Sequence, residues 1–261
     1  MRIDDQFASL AAKAEKALVL FVTGGDPPLD QLPAIISALI EGGADVLEVG
    51  IPFSDPIADG PTIQASSQRA LDRGVTPTAV LTALGATNLR VPTVTMGYYN
   101  SILRAGIDAS AENMRKAGLS GTIISDLTPE ESGAWVAASK ANHLDNIFLV
   151  APTSTDARIE AATSRASGFV YAVSRTGVTG AGETVPLEVQ SLLRRVKGKT
   201  SLPVCAGFGV STPEHVRMVC EVADGVVIGS FLVDLLMREW KDGAGKQLVI
   251  DQVAAWKSAT R

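Results

Sequence analysis

Short runs of consecutive apolar and β-branched residues recur along the chain, and each is followed by a stretch of helical character. Runs that are apolar throughout, rather than at every second residue, are typical of parallel strands covered on both faces. Eight strand–helix units in about 250 residues predict a (β/α)8 TIM barrel. The runs are residues 17–23, 46–49, 91–95, 121–124, 147–150, 169–173, 202–205 and 225–228.

Helix signals fill the intervals between these runs. Proline, serine and threonine precede several of the helical stretches, and glycines follow them. An extra amphipathic segment, residues 3–16, precedes the first strand, and we expect it to close the bottom of the barrel. No linker divides the chain, so we expect a single barrel domain over residues 1–261. A doubly wound open sheet is the alternative fold. The helical stretches are residues 28–41, 61–73, 109–117, 130–142, 155–164, 187–197, 213–222 and 246–258.

Composition excludes several classes of protein. The formal net charge is −5 and aromatic residues make up 5%, which argues against a nucleic-acid binder. The apolar run at residues 17–22 is too short to span a bilayer, and no basic segment precedes it. Two cysteines cannot form a disulfide framework and fit a reducing compartment. We therefore expect a cytoplasmic protein without a membrane anchor.

Two carboxylates follow the second strand, at the end of the barrel where chemistry is expected. Glu48 lies inside an apolar run, so burial should raise its pKa towards a value useful for proton transfer. Asp59 lies near the end of the next loop, just before a helix, and can converge with Glu48 on one small substrate. The alternative is structural: Glu48 would be an ion-pair partner and Asp59 a helix cap.

Glycines follow the last two strands and predict a phosphate site. Gly207, Phe208 and Gly209 come after the seventh strand, and Gly229 and Ser230 come after the eighth. Glycines here allow backbone N–H groups to approach a phosphate at the N-terminus of a helix. Such a site needs no lysine or arginine.

The loop after the sixth strand, residues 175–183, contains three glycines. It predicts a mobile lid, although a long surface loop is the simpler interpretation. Tyr171, near the end of the strand before it, offers a hydroxyl or an aromatic surface to the pocket.

The chain lacks the residues that several kinds of chemistry require. No lysine lies in or just after a strand, so a Schiff-base aldolase would have no nucleophile. His143 and His215 join no ligand cluster, and we expect no metal site. Cys205 and Cys220 are expected to be buried packing residues. Neither a dinucleotide-binding nor an ATP-binding glycine motif is present.

Over essentially its whole length the chain resembles the tryptophan synthase alpha subunit family. The resemblance rests on FVTGGDP at 21–27, LEVGIPFSDPIADGPTIQ at 47–64, SRTGVTG at 174–180 and GFGVS at 207–211. It implies a lyase that cleaves indole-3-glycerol phosphate to indole and glyceraldehyde 3-phosphate. Glu48 would be the general acid and base, and Asp59 would bind the indole N–H. The further substrate-binding residues that it implies are Phe21, Ile63, Tyr171, Thr179, Gly180, Phe208, Gly209, Gly229 and Ser230.

The resemblance also implies a partner, a pyridoxal-phosphate beta subunit in an α2β2 complex that receives the indole. Asp55, Tyr98 and Asn100 match residues that contact it. The chain itself would bind no cofactor. Two alternatives remain: an independent lyase or other phosphosugar enzyme, and a non-catalytic barrel that activates a partner.

Overall fold

The structure is a computed structural model that describes residues 2–174 and 185–261. Within these ranges, nine parallel strands form one sheet in the order β5-β4-β3-β2-β1-β9-β8-β7-β6. The strands are β1 (Ala17–Thr23), β2 (Val46–Gly50), β3 (Thr93–Gly97), β4 (Gly121–Ile124), β5 (Asp145–Ile147), β6 (Leu149–Val150), β7 (Val170–Val173), β8 (Val204–Gly207) and β9 (Gly225–Ile228).

The two ends of this sheet are joined through a single residue. β5 pairs only with β4 and β6 only with β7, yet Phe148 alone separates β5 from β6 in the chain. The backbone N–H of Tyr171 donates to the carbonyl of Phe148 at 3.0 Å, which continues the hydrogen bonding across the gap. The predicted strand at residues 147–150 is therefore two short strands at one barrel position. The barrel is nearly closed, and the open-sheet alternative is wrong.

Helices cover the outside of the sheet. In the described part of the chain they are α1 (Ile3–Ala12), α2 (Leu32–Gly42), α3 (Pro61–Asp72), α4 (Pro77–Gly85), α5 (Tyr99–Ala105), α6 (Ile107–Lys116), α7 (Gly133–Ala141), α8 (Asp156–Arg165), α9 (Leu187–Lys197), α10 (Pro213–Cys220), α11 (Ser230–Glu239) and α12 (Lys246–Ser258). None of them is long and apolar enough to cross a membrane.

Side chains alternate between the barrel interior and the outer core, as parallel strands require. The interior cluster includes Ala17 and Val19 of β1 and Val46 of β2. The intervening residues, such as Leu18 and Leu47, pack in the larger core beneath the helices. This alternation points Phe21 and Glu48, which are paired in register, into the barrel above Val19 and Val46.

The amino-terminal end of the barrel is closed by α1, as expected. Ile3, Phe7 and Leu10 of this helix belong to the same buried cluster as the interior side chains. The ring of Phe7 lies 6.0 Å from that of Phe169, centroid to centroid. The helix ends at Ala12 rather than at the predicted residue 16. The opposite, carboxyl end of the barrel is not closed by this helix, and the candidate site residues lie there.

Candidate active site

Glu48 is the most unusual residue of the barrel interior. Its side chain is 1% exposed in β2, with apolar residues on both sides along the strand. It forms no ion pair with a described residue, and no described group hydrogen-bonds to its Oε2 atom. Burial, reinforced by the charge of Asp59, raises its pKa from 4.5 to about 8. The structural alternative, an ion-pair partner, therefore does not hold, and Glu48 stays largely protonated at neutral pH.

Asp59 lies at the end of the loop that follows β2. Burial raises its pKa to about 6, and a hydrogen bond from Tyr98 opposes that rise. Its Oδ1 atom is buried and, among the described residues, has no partner. The helix-cap interpretation is wrong, because Gly60 is the N-cap of α3 and no side chain caps that helix.

The two carboxyls hold their protons differently. Asp59 is the charge that raises the pKa of Glu48 beyond the effect of burial. With pKa values of about 8 and about 6, Glu48 is mainly protonated and Asp59 mainly ionised at pH 7. One carboxylic acid and one carboxylate in a single pocket can serve as proton donor and as anionic acceptor.

Tyr171 lies close to this pair. Burial raises its pKa well above 10, and the charges of Glu48 and Asp59 add to the effect. Its ring lies against Gly207 of the neighbouring strand: a Cβ atom on that glycine would lie 2.6 Å from the Tyr171 hydroxyl oxygen. A residue without a side chain is therefore required at Gly207. The structure thus places Tyr171 beside Glu48 and Asp59.

An apolar surface lies beside the carboxyls. Phe21 is 3% exposed, and its ring crosses over Gly50 of β2, where a Cβ would lie 2.6 Å from Phe21 Cζ. A Cβ on Gly229 would lie 3.7 Å from the Cβ of Phe21 and 3.8 Å from Cδ1 of Ile63. Phe21, Ile63 and Gly229 are therefore neighbours, as expected of residues that line one pocket.

The predicted phosphate site lies where β8 and β9 end. Gly229 is the N-cap of α11 and Ser230 its first residue; no side chain caps this helix, and its first turn has no acidic residue. By contrast, the side chain of Thr212 caps the neighbouring helix α10. The amides at the start of α11 are thus left for an anion. Phe208 is buried beside them, and Gly209 has a φ of 74° that favours glycine.

Two features of the site were missed from the sequence. Tyr98, expected only at a partner surface, is 4% exposed and accepts a hydrogen bond from the Ala58 amide at 3.0 Å. Its ring stacks on Phe53 with centroids 4.8 Å apart. The sequence does not predict the stack of Tyr98 on Phe53, because the two residues come from different loops.

The second missed feature is a clamp on α3, the helix that follows Asp59. Asp26, 5% exposed, accepts hydrogen bonds from Arg69 at 2.6 Å, Arg73 at 3.0 Å and Ser66 at 2.8 Å. Burial alone would raise the pKa of Asp26, but these bonds outweigh it and lower the pKa below its usual range. The clamp ties the loop after β1 to the helix that carries Ile63.

The remaining predicted residues lie at the edge of the site or outside the described part. Asp55 and Asn100 are exposed, as a partner contact requires, and Asp55 accepts a hydrogen bond from Ser54. Thr179 and Gly180 lie outside the described residues. Within the described ranges, no group of three or more histidine, cysteine, aspartate or glutamate side chains could hold a metal ion.

Comparison with known proteins agrees with this geometry. The family model for the tryptophan synthase alpha chain matches residues 7–259. A tryptophan synthase alpha chain of Burkholderia ambifaria (strain MC40-6) is 47% identical over 250 residues, 95% of this chain and 92% of that protein. The chain of Burkholderia multivorans (strain ATCC 17616 / 249) is 47% identical over 246 residues, 93% of this chain and 91% of that one.

Solved structures show the same fold. A crystal structure of tryptophan synthase from M. tuberculosis, in its aminoacrylate-bound form, superposes with a TM-score of 0.90 at 35% identity. The match covers 100% of this chain and 99% of that one. Tryptophan synthase subunit alpha from Legionella pneumophila str. Paris gives a TM-score of 0.90 at 33% identity over 99% of this chain and 98% of its own. This chain therefore belongs to the tryptophan synthase alpha chain family.

Proposed function

We propose that Glu48 transfers the protons of the family's lyase reaction and that Asp59 stabilises the positive charge that develops in it. That reaction cleaves indole-3-glycerol phosphate to indole and glyceraldehyde 3-phosphate. The observation that carries the proposal is the pair itself: two carboxyls at one end of the barrel, each with a buried oxygen that no described group satisfies. Buried polar atoms without partners are costly unless a ligand completes them.

Glu48 handles the protons of the carbon–carbon cleavage. In its protonated form it donates a proton to the indole ring carbon that bears the glycerol chain, which gives the indolenine. The bond between that carbon and the chain then breaks, and its electron pair returns to the ring. The adjacent chain hydroxyl loses its proton to the Glu48 carboxylate and becomes the aldehyde. Glu48 ends protonated again, so the reaction needs no net proton.

Asp59 stabilises the indolenine. Its carboxylate accepts a hydrogen bond from the indole N–H, where positive charge develops when the ring carbon is protonated. A pKa of about 6 keeps it ionised at neutral pH for this task. We assign the apolar surface of Phe21 and Ile63 to the indole ring, and Tyr171 to the glycerol chain. Thr179 would close onto the Asp59 loop.

The phosphate binds at the other side of the pocket. The amides of Gly229 and Ser230 at the start of α11, which no described side chain caps, supply donors and a partial positive charge. Gly209 and Phe208 complete the site, together with Gly180. Backbone amides bind the dianion without a cationic side chain, which fits the acidic net charge of −5. No cofactor is needed in this chain, because protonation of the ring carbon already makes indole a leaving group.

The test compares Glu48→Gln and Asp59→Asn with the unaltered protein in an indole-release assay. Both substitutions keep size and shape. We expect Glu48→Gln to lower kcat by about 10²–10⁴-fold or more and to leave substrate affinity nearly unchanged, because only the transferable proton is lost. Ser54→Ala, in the same loop but facing solvent, is the control. Cleavage at the normal rate by Glu48→Gln would overturn the assignment.

The partner is a beta subunit of tryptophan synthase, and we propose an α2β2 complex in which that subunit carries pyridoxal phosphate. The exposed Asp55, in the loop after β2, and the exposed Asn100, in the first turn of α5 after β3, lie at the carboxyl end of the barrel and provide a surface for it. We place the complex in the cytoplasm, in keeping with two free cysteines.

Indole release with and without the beta subunit tests this partnership. Strong activation supports a coupled complex, and high activity of the chain alone supports an independent lyase. Activation of the beta subunit by the inactive Glu48→Gln variant shows that the barrel also acts as a partner activator. A partner that neither binds nor is activated would contradict the complex.

A further inference from the structure

Tyr98 links two loops at the carboxyl end of the barrel. It follows β3 and is the residue just before α5, yet its hydroxyl reaches the loop after β2. There it accepts a hydrogen bond from the Ala58 amide at 3.0 Å, one residue before Asp59. The hydroxyl is therefore fixed to the backbone next to Asp59, near enough to lower the pKa of that carboxyl.

The ring of Tyr98 is fixed by stacking rather than by close packing on all sides. Phe53, from the start of the same loop, lies parallel to it, with 4.8 Å between centroids and 13° between planes. On another side Tyr98 borders a mainly apolar cavity of about 70 Å³ between the sheet and helices α4, α5 and α6. The Phe53 ring and the hydrogen bond from Ala58 are thus the contacts that set the position of the hydroxyl.

We propose that Tyr98 is a positioning residue of the lyase, which holds in place the turn of the loop that carries the Asp59 carboxyl. The inference deepens the proposed function and rests on the role assigned there to Asp59. Loop segments outside regular structure do not hold a carboxyl in one orientation unless other groups fix it. Within the described residues, no helix cap and no salt bridge does so for Asp59.

Among the described residues, few titratable groups face Asp59. Glu48 faces it from β2, Tyr98 from the end of β3, and Tyr171 from β7, while Asp126 after β4 acts on Tyr98. All of these carry negative charge or none. Within the described part of the chain, Tyr98 is consequently the group that lowers the pKa of Asp59 against burial.

Tyr98→Phe tests the proposal because it removes the hydroxyl and keeps the stacked ring. We measure kcat/KM for indole release against pH in the full-length chain together with its beta subunit. The expected result is a loss of about tenfold in kcat/KM at neutral pH and a shift of the acidic limb to higher pH. Tyr99→Phe, the same change one residue later, is the matched control and should leave both unchanged.

An acidic limb at its normal pH in Tyr98→Phe overturns the proposal, whatever the change in rate, because a merely structural role would not move it. If Tyr98→Phe fails to fold, Phe53→Leu decides in its place. It removes the stacking partner and should shift the same limb in the same direction. Asp59→Asn separates this test from the proposed function: normal cleavage by that variant refutes the role of Asp59 itself. An inactive Asp59→Asn with an unshifted Tyr98→Phe refutes only the role of Tyr98.

Discussion

Glu48 and Asp59 show how a barrel interior separates two chemically similar groups. Both are carboxyls, and burial raises the pKa of each, to about 8 for Glu48 and about 6 for Asp59. The difference arises because Glu48 is more deeply buried and also feels the charge of Asp59, whereas Asp59 receives a hydrogen bond from Tyr98. The proton-transfer role of one carboxyl and the charge-stabilising role of the other follow from environment rather than from residue type.

These pKa values predict a bell-shaped pH dependence. Activity needs Glu48 protonated and Asp59 ionised, so kcat/KM for indole release should fall below about pH 6 and above about pH 8. Asp59→Asn should remove the acidic limb from whatever activity remains. A rate that stays constant from pH 5 to pH 9 would contradict the assignment of both groups.

Glu48→Gln should make the protein more stable while it abolishes activity. In the unfolded chain the carboxyl has its ordinary pKa of 4.5, and in the folded chain about 8. Ionisation therefore favours the unfolded state increasingly from about pH 4.5 to about pH 8. The melting temperature of the variant should exceed that of the unaltered protein at pH 8 and match it near pH 4. Glu130→Gln, at an exposed position, is the control.

The sequence alone singled out these two residues, since a glutamate inside an apolar strand is unusual, and the structure buries an oxygen of each that no described group satisfies. Their catalytic roles stay predictions. The sequence also predicted that Glu48, Tyr171 and the last two strands contribute to one end of the barrel. It did not reveal the structural role of Tyr98, because a stack between two loops leaves no periodic pattern. The roles of Thr179 and Gly180 remain predictions.

At the scale of elements, most of the barrel could be predicted. The bounds of α9 and α12 agree with the sequence prediction, and those of β1 do too. Predicted strands at residues 91–95 and 202–205 begin two residues later in the structure, because each is preceded by a proline-containing turn. Helices α4, α5 and α11 were not predicted. The first two are short, and the start of α11 was assigned to the phosphate loop alone.

The Asp26 clamp is the contact most worth testing at this scale. It holds α3, which begins just after Asp59 and carries Ile63. Asp26→Asn should lower the free energy of unfolding by about 3 kcal/mol. This value is at the lower end of the range for removing one partner of a buried ion pair, because both arginines are partly exposed. Urea unfolding at pH 7 measures this, and kcat/KM should fall with it because the helix moves.

The pH dependence of that loss has a definite sign. The pKa of Asp26 lies below its usual value in the folded chain, so its carboxylate stabilises the fold above the unfolded pKa, and this contribution disappears as pH falls through the folded pKa. The difference between Asp26→Asn and the unaltered protein should therefore shrink in acid. Asp156→Asn, which removes an exposed ion pair with Arg195, should change stability by less than about 1 kcal/mol.

The whole molecule has two ends with separate tasks. At the amino-terminal end, α1 fills the barrel with Ile3, Phe7 and Leu10, all apolar and fully packed. At the carboxyl end, buried polar atoms of Glu48 and Asp59 have no partner among the described residues. The amino-terminal end therefore stabilises the fold. The carboxyl end costs stability because its buried polar groups serve function, which is the division expected of barrel enzymes.

This division predicts opposite effects for substitutions at the two ends. Phe7→Ala removes a ring that packs against Phe169 and should lower the free energy of unfolding by about 3 kcal/mol. Its kcat for indole release should stay within about twofold of normal below the melting temperature, because the barrel separates it from the site. Leu248→Ala, at an exposed position of α12, is the stability control. Glu48→Gln should show the reverse pattern, no indole release from a more stable protein. If Phe7→Ala instead lowered kcat as strongly as Glu48→Gln, the two ends would be coupled and the barrel could not be treated as a rigid support for its site.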